Sequence, residues 1–485
     1  MRNQPFSCDS FIVLPDAAAN GHLLFGKNSD RPAGEAQPLR FHERRQAGSE
    51  LRLAHVTVPD APAFRHIGAS PFWCWGYEFG INEHHVVIGN EAQFTRPLAD
   101  AIVEAGEESG GNGIIGMELV RLGLERASTA EAAVRLIADL LERYGQWASG
   151  KFGLRASDGA YDNSYLIADP REAWVLETAG RQWVARRITS GVCSISNEPS
   201  IRGHYDLSSE GLVSNAIAQN WMDGATPFDY ARVYGDPNVP LQVSRIRQRR
   251  SEQLLRNATA AGGVSWQVAF GVLRDHLEGT FLDGPRFNAA RPDFHTLCMH
   301  EHPSGFTWGN TAGSIVADLG ADAEDLAVVW WTPLTPCTGA YIPIFLEASS
   351  FPRTLELPGA MPVADPASFG QPAFDPASFW WRSQNRLDAS KGDYLGSSFN
   401  DRQPELRGFF HAMEMRWIHK VEALREQWRS SRGLNREALR QQFAALTVMA
   451  IEEVDEATRV FFSKYAPEAV NRSIDNRWGG LSPEK

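Results

Sequence analysis

The sequence predicts an α+β fold built on antiparallel strands, and three observations carry that reading. Ser7 to Arg31 holds two short apolar runs, Phe11-Ile12-Val13-Leu14 and Leu23-Leu24-Phe25, around a turn-rich spacer from Pro15 to Gly21. That is a β-hairpin pattern. A second block holds Tyr165-Leu166-Ile167, Ala173-Trp174-Val175-Leu176 and Gln182-Trp183-Val184-Ala185, with Asp169-Pro170-Arg171-Glu172 and Thr178-Ala179-Gly180 between them. Three runs separated by such turns make an antiparallel meander. Capped amphipathic helices stand beside these strands, at 113–145 and again toward the C-terminus.

Taken in order, residues 1–7 read as a short leader, and 31–50 as a polar loop. Leu51 to Val58 reads as a strand. Pro71-Phe72-Trp73-Cys74-Trp75-Gly76 is an aromatic turn whose Trp73 and Trp75 would line a pocket or pack a core. Gly80 to Glu91 is a tight turn, a buried strand and a polar exit carrying Asn90 and Glu91. Ser128 to Glu131 has the form of a capping box opening the second helix of 113–145. Residues 146–160 read as a Gly/Ser-rich loop. Gly191 to Ile195 is the strand after the meander, and Asn197 lies at its exit. Ser244 to Asn257 and 264–276 are helical. Residues 311–317 and 326–331 are buried strands. The proline-rich span from about 352 to 385 reads as a linker or wrapped loop, followed by two long helices at 404–430 and 434–465.

Composition narrows the function. With 485 residues there is room for one large domain or two. A formal charge of −12 leaves no basic stripe for nucleic acid, and the Arg245–Arg250 run reads as a solvated helix face. No stretch has the form of a signal peptide or a membrane span, so a cytoplasmic location is expected. Cys8, Cys74, Cys193, Cys298 and Cys337 are widely spaced and odd in number, with no C-x-x-C pair. His84 and His85 point to opposite faces of a strand, and His300 and His302 near Cys298 are a weak hint. No metal is therefore expected. No Walker loop or dinucleotide fingerprint follows a strand, so no cofactor is expected either.

The chemistry concentrates in the first hairpin. Folding it back brings Cys8 beside Lys27 and Asp30, and a thiol next to a cation and a carboxylate is an activated nucleophile.

These residues also carry a resemblance. Cys8-Asp9-Ser10-Phe11, Phe25 to Arg31, Asn82-Glu83-His84, Asn90-Glu91-Ala92, Gly116 to Arg126 and Glu172 to Thr178 stand in an order that resembles the secernin and bacterial dipeptidase family. These are cysteine N-terminal-nucleophile (Ntn) hydrolases, distantly similar to penicillin V acylase and bile-salt hydrolase. The likeness spans residues 8 to about 345. It implies an α+β fold: a four-layer αββα Ntn-hydrolase sandwich of two stacked antiparallel sheets, with a C-terminal helical extension. The domains would be a removable leader at 1–7, the hydrolase domain at 8–350, the proline-rich segment at 351–400 and the helical extension at 401–485.

The resemblance further implies that processing between Ser7 and Cys8 makes Cys8 the first residue. Its α-amine then serves as base for its thiol. Asp30 would orient that amine, and Lys27 would favour the thiolate where the acylase relatives usually carry Arg. Asn90 and Asn197 would supply oxyanion donors, and Arg245 would close the site. Trp73, Trp75 and Glu91 are the expected pocket residues. The expected reaction is hydrolysis of a linear amide bond in a dipeptide or small amide. Two rivals stand beside it: an acylase of N-acyl amines, and a catalytically silent binding protein. The C-terminal helical hairpin is a candidate surface for self-association.

Overall fold

The computed structural model describes residues 7–465 except 106–112, 152, 155–158, 240–241, 284–286, 303, 305–306, 371 and 433. The expected leader, apart from Ser7, lies outside the described residues. So do the last twenty residues of the expected helical extension and parts of the 146–160 loop.

Strands β1 (Cys8–Val13) and β2 (Leu24–Pro32) form the expected hairpin, with Cys8 opposite Ser29 and Ser10 opposite Lys27. The following segment gives β3 (Leu39–His42), β4 (Glu50–Arg52), β5 (Thr57–Pro59), β6 (His66–Ala69), β7 (Phe79–Asn82) and β8 (Val87–Gln93). The region read as one strand at 51–58 is thus a small hairpin, β4 with β5, standing outside both main sheets. The loop assigned to 31–50 contains β3, an edge strand.

Helix α1 (Arg96–Ala105) precedes α2 (Gly116–Arg126) and α3 (Ala130–Tyr144). The cap of α3 is Thr129 rather than Ser128: its Oγ1 accepts from the Ala132 N–H at 3.2 Å. The meander appears as β9 (Asp162–Ala168), β10 (Ala173–Ala179) and β11 (Gln182–Ile188). Then follow β12 (Val192–Ile195), β13 (Leu207–Ser208), α4 (Leu212–Ala218), α5 (Tyr230–Tyr234), α6 (Gln242–Ala260) and α7 (Trp266–Leu273). The chain continues through β14 (Gly309–Asp318), β15 (Val328–Pro333), β16 (Ile342–Ile344), α8 (Arg353–Glu356), α9 (Phe379–Lys391), α10 (Phe399–Ser430) and α11 (Glu437–Lys464).

Two antiparallel sheets stack face to face. One has the order β12-β1-β2-β14-β15-β16, the other β13-β11-β10-β9-β8-β7-β6-β3. β1 faces β8 and β9 across the interface. Helices α2 and α3 cover the outer face of the larger sheet, while α6 and α7 cover the smaller one. The layers are therefore αββα. A strand walled on one side by a sheet and on the other by helices is buried on both faces. All nine residues of β2 are buried, Lys27, Asn28, Asp30 and Arg31 among them. Each such polar group needs a partner, because an unpaired buried charge is strongly disfavoured. That requirement builds the site.

Inside the span read as linker, α9 is a well-formed helix. Ser378 caps it, Trp380 and Trp381 are buried, and Trp380 Nε1 donates to the Ala312 carbonyl at 2.7 Å. The prolines that suggest a loop end at Pro376, just before that cap. Among the described residues, no helix is long and apolar enough to cross a membrane.

Candidate active site

Side chains on β1 and β2 alternate between the two faces of their sheet. By register, Cys8, Ser10, Lys27 and Ser29 share one face. Lys27 reaches Glu91 on β8, so this is the face turned toward the second sheet. Asp9 takes the other face and meets Arg247 of α6.

Cys8 sits at the first position of β1, with 7% of its surface exposed. Its Sγ accepts from the Asp30 backbone N–H at 3.3 Å, and its own N–H donates to Asn197 Oδ1 at 2.9 Å. β12 brings Asn197 there. That strand leaves the meander's sheet and pairs with β1, Ser10 opposite Ile195, so its exit lies beside the start of β1. The Asp30 carboxylate accepts from Thr311 Oγ1 at 2.6 Å and from the Ser7 hydroxyl, one residue before the thiol.

Lys27 is fully buried. Its Nζ donates to Glu91 Oε2 at 2.9 Å and to the Asn90 carbonyl at 2.6 Å, while the Ser10 hydroxyl donates to Glu91. Burial pulls the Lys27 ammonium down, but the negative charges of Glu91 and Glu78, and of the Cys8 sulfur whenever it is ionised, outweigh it and push Lys27 above its ordinary value. Burial pushes the Glu91 carboxyl up, against the pull of Lys27. Burial also pushes the Cys8 thiol well above its ordinary value. Lys27 pulls it down, and Glu91, Glu78 and Asp30 push it further up. With Ser7 attached, Cys8 is a neutral thiol on an amide nitrogen.

Of the expected site residues, Cys8, Asp30, Lys27, Asn197, Asn90 and Glu91 come together. The amide of Asn90 donates to Asn163 Oδ1 at 3.0 Å, and that of Asn197 to the Ala92 carbonyl at 3.0 Å. In this state both side-chain donors are engaged. Glu91 is an anchor for Lys27 and Ser10 rather than a pocket wall.

Three further expectations are corrected. Arg245 lies with 61% of its side chain exposed and pairs with Glu198 at 3.0 Å. Trp75 stacks on the Arg121 guanidinium of α2 at 4.0 Å, on the helix side of the larger sheet. Trp73 is buried, its Nε1 donating to Glu35 Oε1 at 3.0 Å beside Arg31, so it packs a charged cluster instead of lining a pocket. A cleft of about 340 Å³ does open elsewhere; its lining, which includes Leu282, Asn288, Arg291 and His302, shares no residue with the set around Cys8.

The residue the sequence reading passed over is Arg247. It is fully buried and donates to Asn197 Oδ1 at 2.8 Å, Ser196 Oγ at 3.0 Å, Asp9 Oδ2 at 2.9 Å and the Phe294 carbonyl at 2.9 Å. Burial pushes Asp9 up to about 7 in spite of this guanidinium. Ser244, Arg247, Gln248, Ser251 and Leu255 are buried at spacings of three and four, but four of the five are polar, so no apolar periodicity marks this face in the sequence.

Comparison with known proteins gives the site its context. The model of peptidase family C69 matches residues 7–239. A dipeptidase of Bifidobacterium longum (strain NCC 2705) is 28% identical over 201 residues, 38% of this chain and 35% of that protein. The match therefore spans about a third of the dipeptidase's length. Two solved structures of mutant forms of the conjugated bile acid hydrolase from Clostridium perfringens are also similar. One has a TM-score of 0.38 at 12% identity, covering 67% of this chain and 89% of its own. The other has a TM-score of 0.37 at 10% identity, covering 71% and 90%. The segment that carries Cys8, Lys27, Asp30, Asn90 and Asn197 lies within the match to peptidase family C69, and over that segment the chain is similar to the family.

Proposed function

We propose that this chain is a cysteine hydrolase of linear amide bonds, with a dipeptide or a similar small amide as substrate, and that Cys8 becomes its nucleophile once residues 1–7 are removed. The observation that carries the reading is the surroundings of the Cys8 backbone nitrogen. It already donates to Asn197 Oδ1, and the neighbouring Ser7 hydroxyl is held by Asp30. Cleavage before Cys8 turns that nitrogen into an α-amine among acceptors suited to an ammonium.

A free α-amine has a pKa of about 7.7–8.0, so a fraction is neutral at working pH and takes the thiol proton. The thiolate attacks the substrate carbonyl, the amine leaves with a proton, and water hydrolyses the thioester. Lys27 supplies positive charge on the thiol's face. Arg247 fixes Asn197 from behind. Asn90 is the proposed oxyanion donor, once its amide exchanges Asn163 for substrate. Loss of one such donor raises the barrier by about 3 kcal/mol.

Intact-mass measurement and N-terminal sequencing of purified protein test the processing step, and a mature chain starting at Cys8 is expected. A panel of dipeptides and N-acyl amines then tests the reaction. Turnover of dipeptides that Cys8→Ala abolishes is the expected result. Turnover of N-acyl amines alone would move the assignment to an acylase. Unchanged turnover in Cys8→Ala would remove the thiol from the mechanism.

A further inference from the structure

His276, Cys298, His300 and Cys337 converge from three separate segments, and nothing in the proposed hydrolysis uses them. His276 follows α7. Cys298 and His300 lie in the stretch leading into β14. Cys337 lies in the 3₁₀ turn Pro336–Thr338 between β15 and β16. All four are buried, and their candidate ligand atoms lie within 4.8 Å of one another.

The contacts centre on one atom. His300 Nε2 lies 3.1 Å from His276 Nε2, 3.4 Å from Cys337 Sγ and 3.6 Å from Cys298 Sγ. An imidazole nitrogen is either a donor with one N–H or an acceptor with one lone pair, so one proton cannot join it to three partners. A single cation among the four can. Tetrahedral zinc, with Zn–N of about 2.0–2.1 Å and Zn–S of about 2.3 Å, demands edges of roughly 3.3 Å between nitrogens and roughly 3.6 Å between nitrogen and sulfur. The three separations from His300 Nε2 fit those edges to within about 0.2 Å.

We propose that His276, Cys298, His300 and Cys337 bind one Zn²⁺ ion in a closed, tetrahedral Cys₂His₂ site. Two thiolates and two imidazoles suit a borderline-soft divalent ion with no demand for extra ligands. Support outside the ligands is present on one side: Glu278 Oε1 lies 3.3 Å from His276 Nδ1, the carboxylate–histidine pairing that orients a metal-bound ring. The Phe399 ring packs 5.1 Å from that of His300 and shields the site from water. Four buried protein ligands leave no open position for a substrate, so the role is structural.

The site's place in the fold says what it would hold. Met299, between two ligands, is bonded twice to Thr311: its N–H donates to Thr311 Oγ1 at 3.0 Å, and its carbonyl accepts from the Thr311 N–H at 3.0 Å. Thr311 in turn donates to Asp30. On the other side, Gln403 of α10 donates to the Cys337 carbonyl at 2.8 Å. The ion would clamp the pre-β14 segment that seats Thr311 to the turn that docks α10.

The test is metal analysis of the full chain, purified under reducing conditions without chelator or an immobilised-metal column, and reconstituted with Zn²⁺. About one zinc per chain is expected, lost in Cys298→Ser and Cys337→Ser and retained in His302→Ala, whose ring lies outside the cluster. Should the serine variants fail to fold, Co²⁺ substitution of the wild-type chain decides. Visible bands of tetrahedral cobalt together with a thiolate-to-metal charge-transfer band are expected. A reconstituted wild-type chain with no bound zinc, a serine variant with the wild-type stoichiometry, or a cobalt spectrum lacking the thiolate band would each overturn the site.

Discussion

Arg245 and Arg247 lie two residues apart on α6 and do opposite things. At about 100° per residue, two steps turn a helical side chain through roughly 200°, so one faces solvent when the other faces β1. Arg245 holds Glu198 at the surface, whereas Arg247 joins Asp9, Ser196 and Asn197 beneath Cys8. Arg247→Lys keeps the charge but loses the planar fork that serves several acceptors at once. We expect it to lower the free energy of unfolding by about 1.5–3 kcal/mol, the range for hydrogen bonds to a charged group. Arg245→Ala is expected to change it by less than about 1 kcal/mol, as for an exposed pair. Urea unfolding of both variants, together with the fraction of chain processed at Cys8, checks this. An Arg247→Lys variant as stable and as fully processed as wild type would show that Asn197 needs no support from α6. The same pair shows what was legible at this scale. Cys8, Lys27 and Asp30 are close because a short hairpin makes them close, and a local pattern reveals that. Arg247 is buried against Asp9, 238 residues away in sequence, and Ser196, 51 residues away, and its RIRQRR context looks like a solvated face.

Elements were read more surely than their partners. β12 was legible as a strand, but its pairing with β1 instead of the meander is set by tertiary packing across some 180 residues of chain. The insertion of β14 between β2 and β15 is of the same kind. These two choices deliver Asn197 and Thr311 to the thiol. The stacking of the sheets depends in turn on small residues where a side chain must pass. Gly89 on β8 lies across from β2, and a Cβ there would stand 2.7 Å from Lys27 Cδ and 2.9 Å from Phe25 Cζ. Phe25 is core and cannot swing out. We therefore expect Gly89→Ala to destabilise the protein by about 1–3 kcal/mol, the usual penalty of overpacking. It should also displace Lys27 from Glu91 and slow turnover. Calorimetry and dipeptide kinetics on the variant are the measurements, and wild-type values in both would mean that the inter-sheet space has slack at Lys27.

At the scale of the whole molecule, the question is whether the C-terminal helices form a unit of their own. One core cluster runs from Phe11 and Phe25 through Trp330 and Tyr341 to Phe410, Trp417, Phe443 and Phe461, so α10 and α11 share their apolar contacts with the sheets. The polar link is Glu414 of α10. Its carboxylate accepts from Arg274 at 2.5 Å, from Arg407 at 2.6 Å and from the Tyr341 backbone N–H at 2.9 Å. Burial pushes this carboxyl up, but the two guanidiniums and these bonds outweigh it and hold it below its ordinary value. A carboxylate with a lowered folded-state pKa stabilises the native state above its unfolded pKa of about 4.3, and that contribution fades as pH falls through the folded value. Glu414→Ala leaves the part-buried Arg274 and Arg407 without their shared partner, a loss of about 2–4 kcal/mol, somewhat below that of a fully buried broken pair. The variant should unfold in a single transition at lower urea, with both the far-ultraviolet helix signal and tryptophan fluorescence shifted together. It should also lose less stability than wild type between pH 5 and pH 3, roughly the window in which a paired carboxylate is forced to protonate. If instead the far-ultraviolet signal is lost in two separate steps, α10 and α11 are a separate folding unit that merely docks on β16.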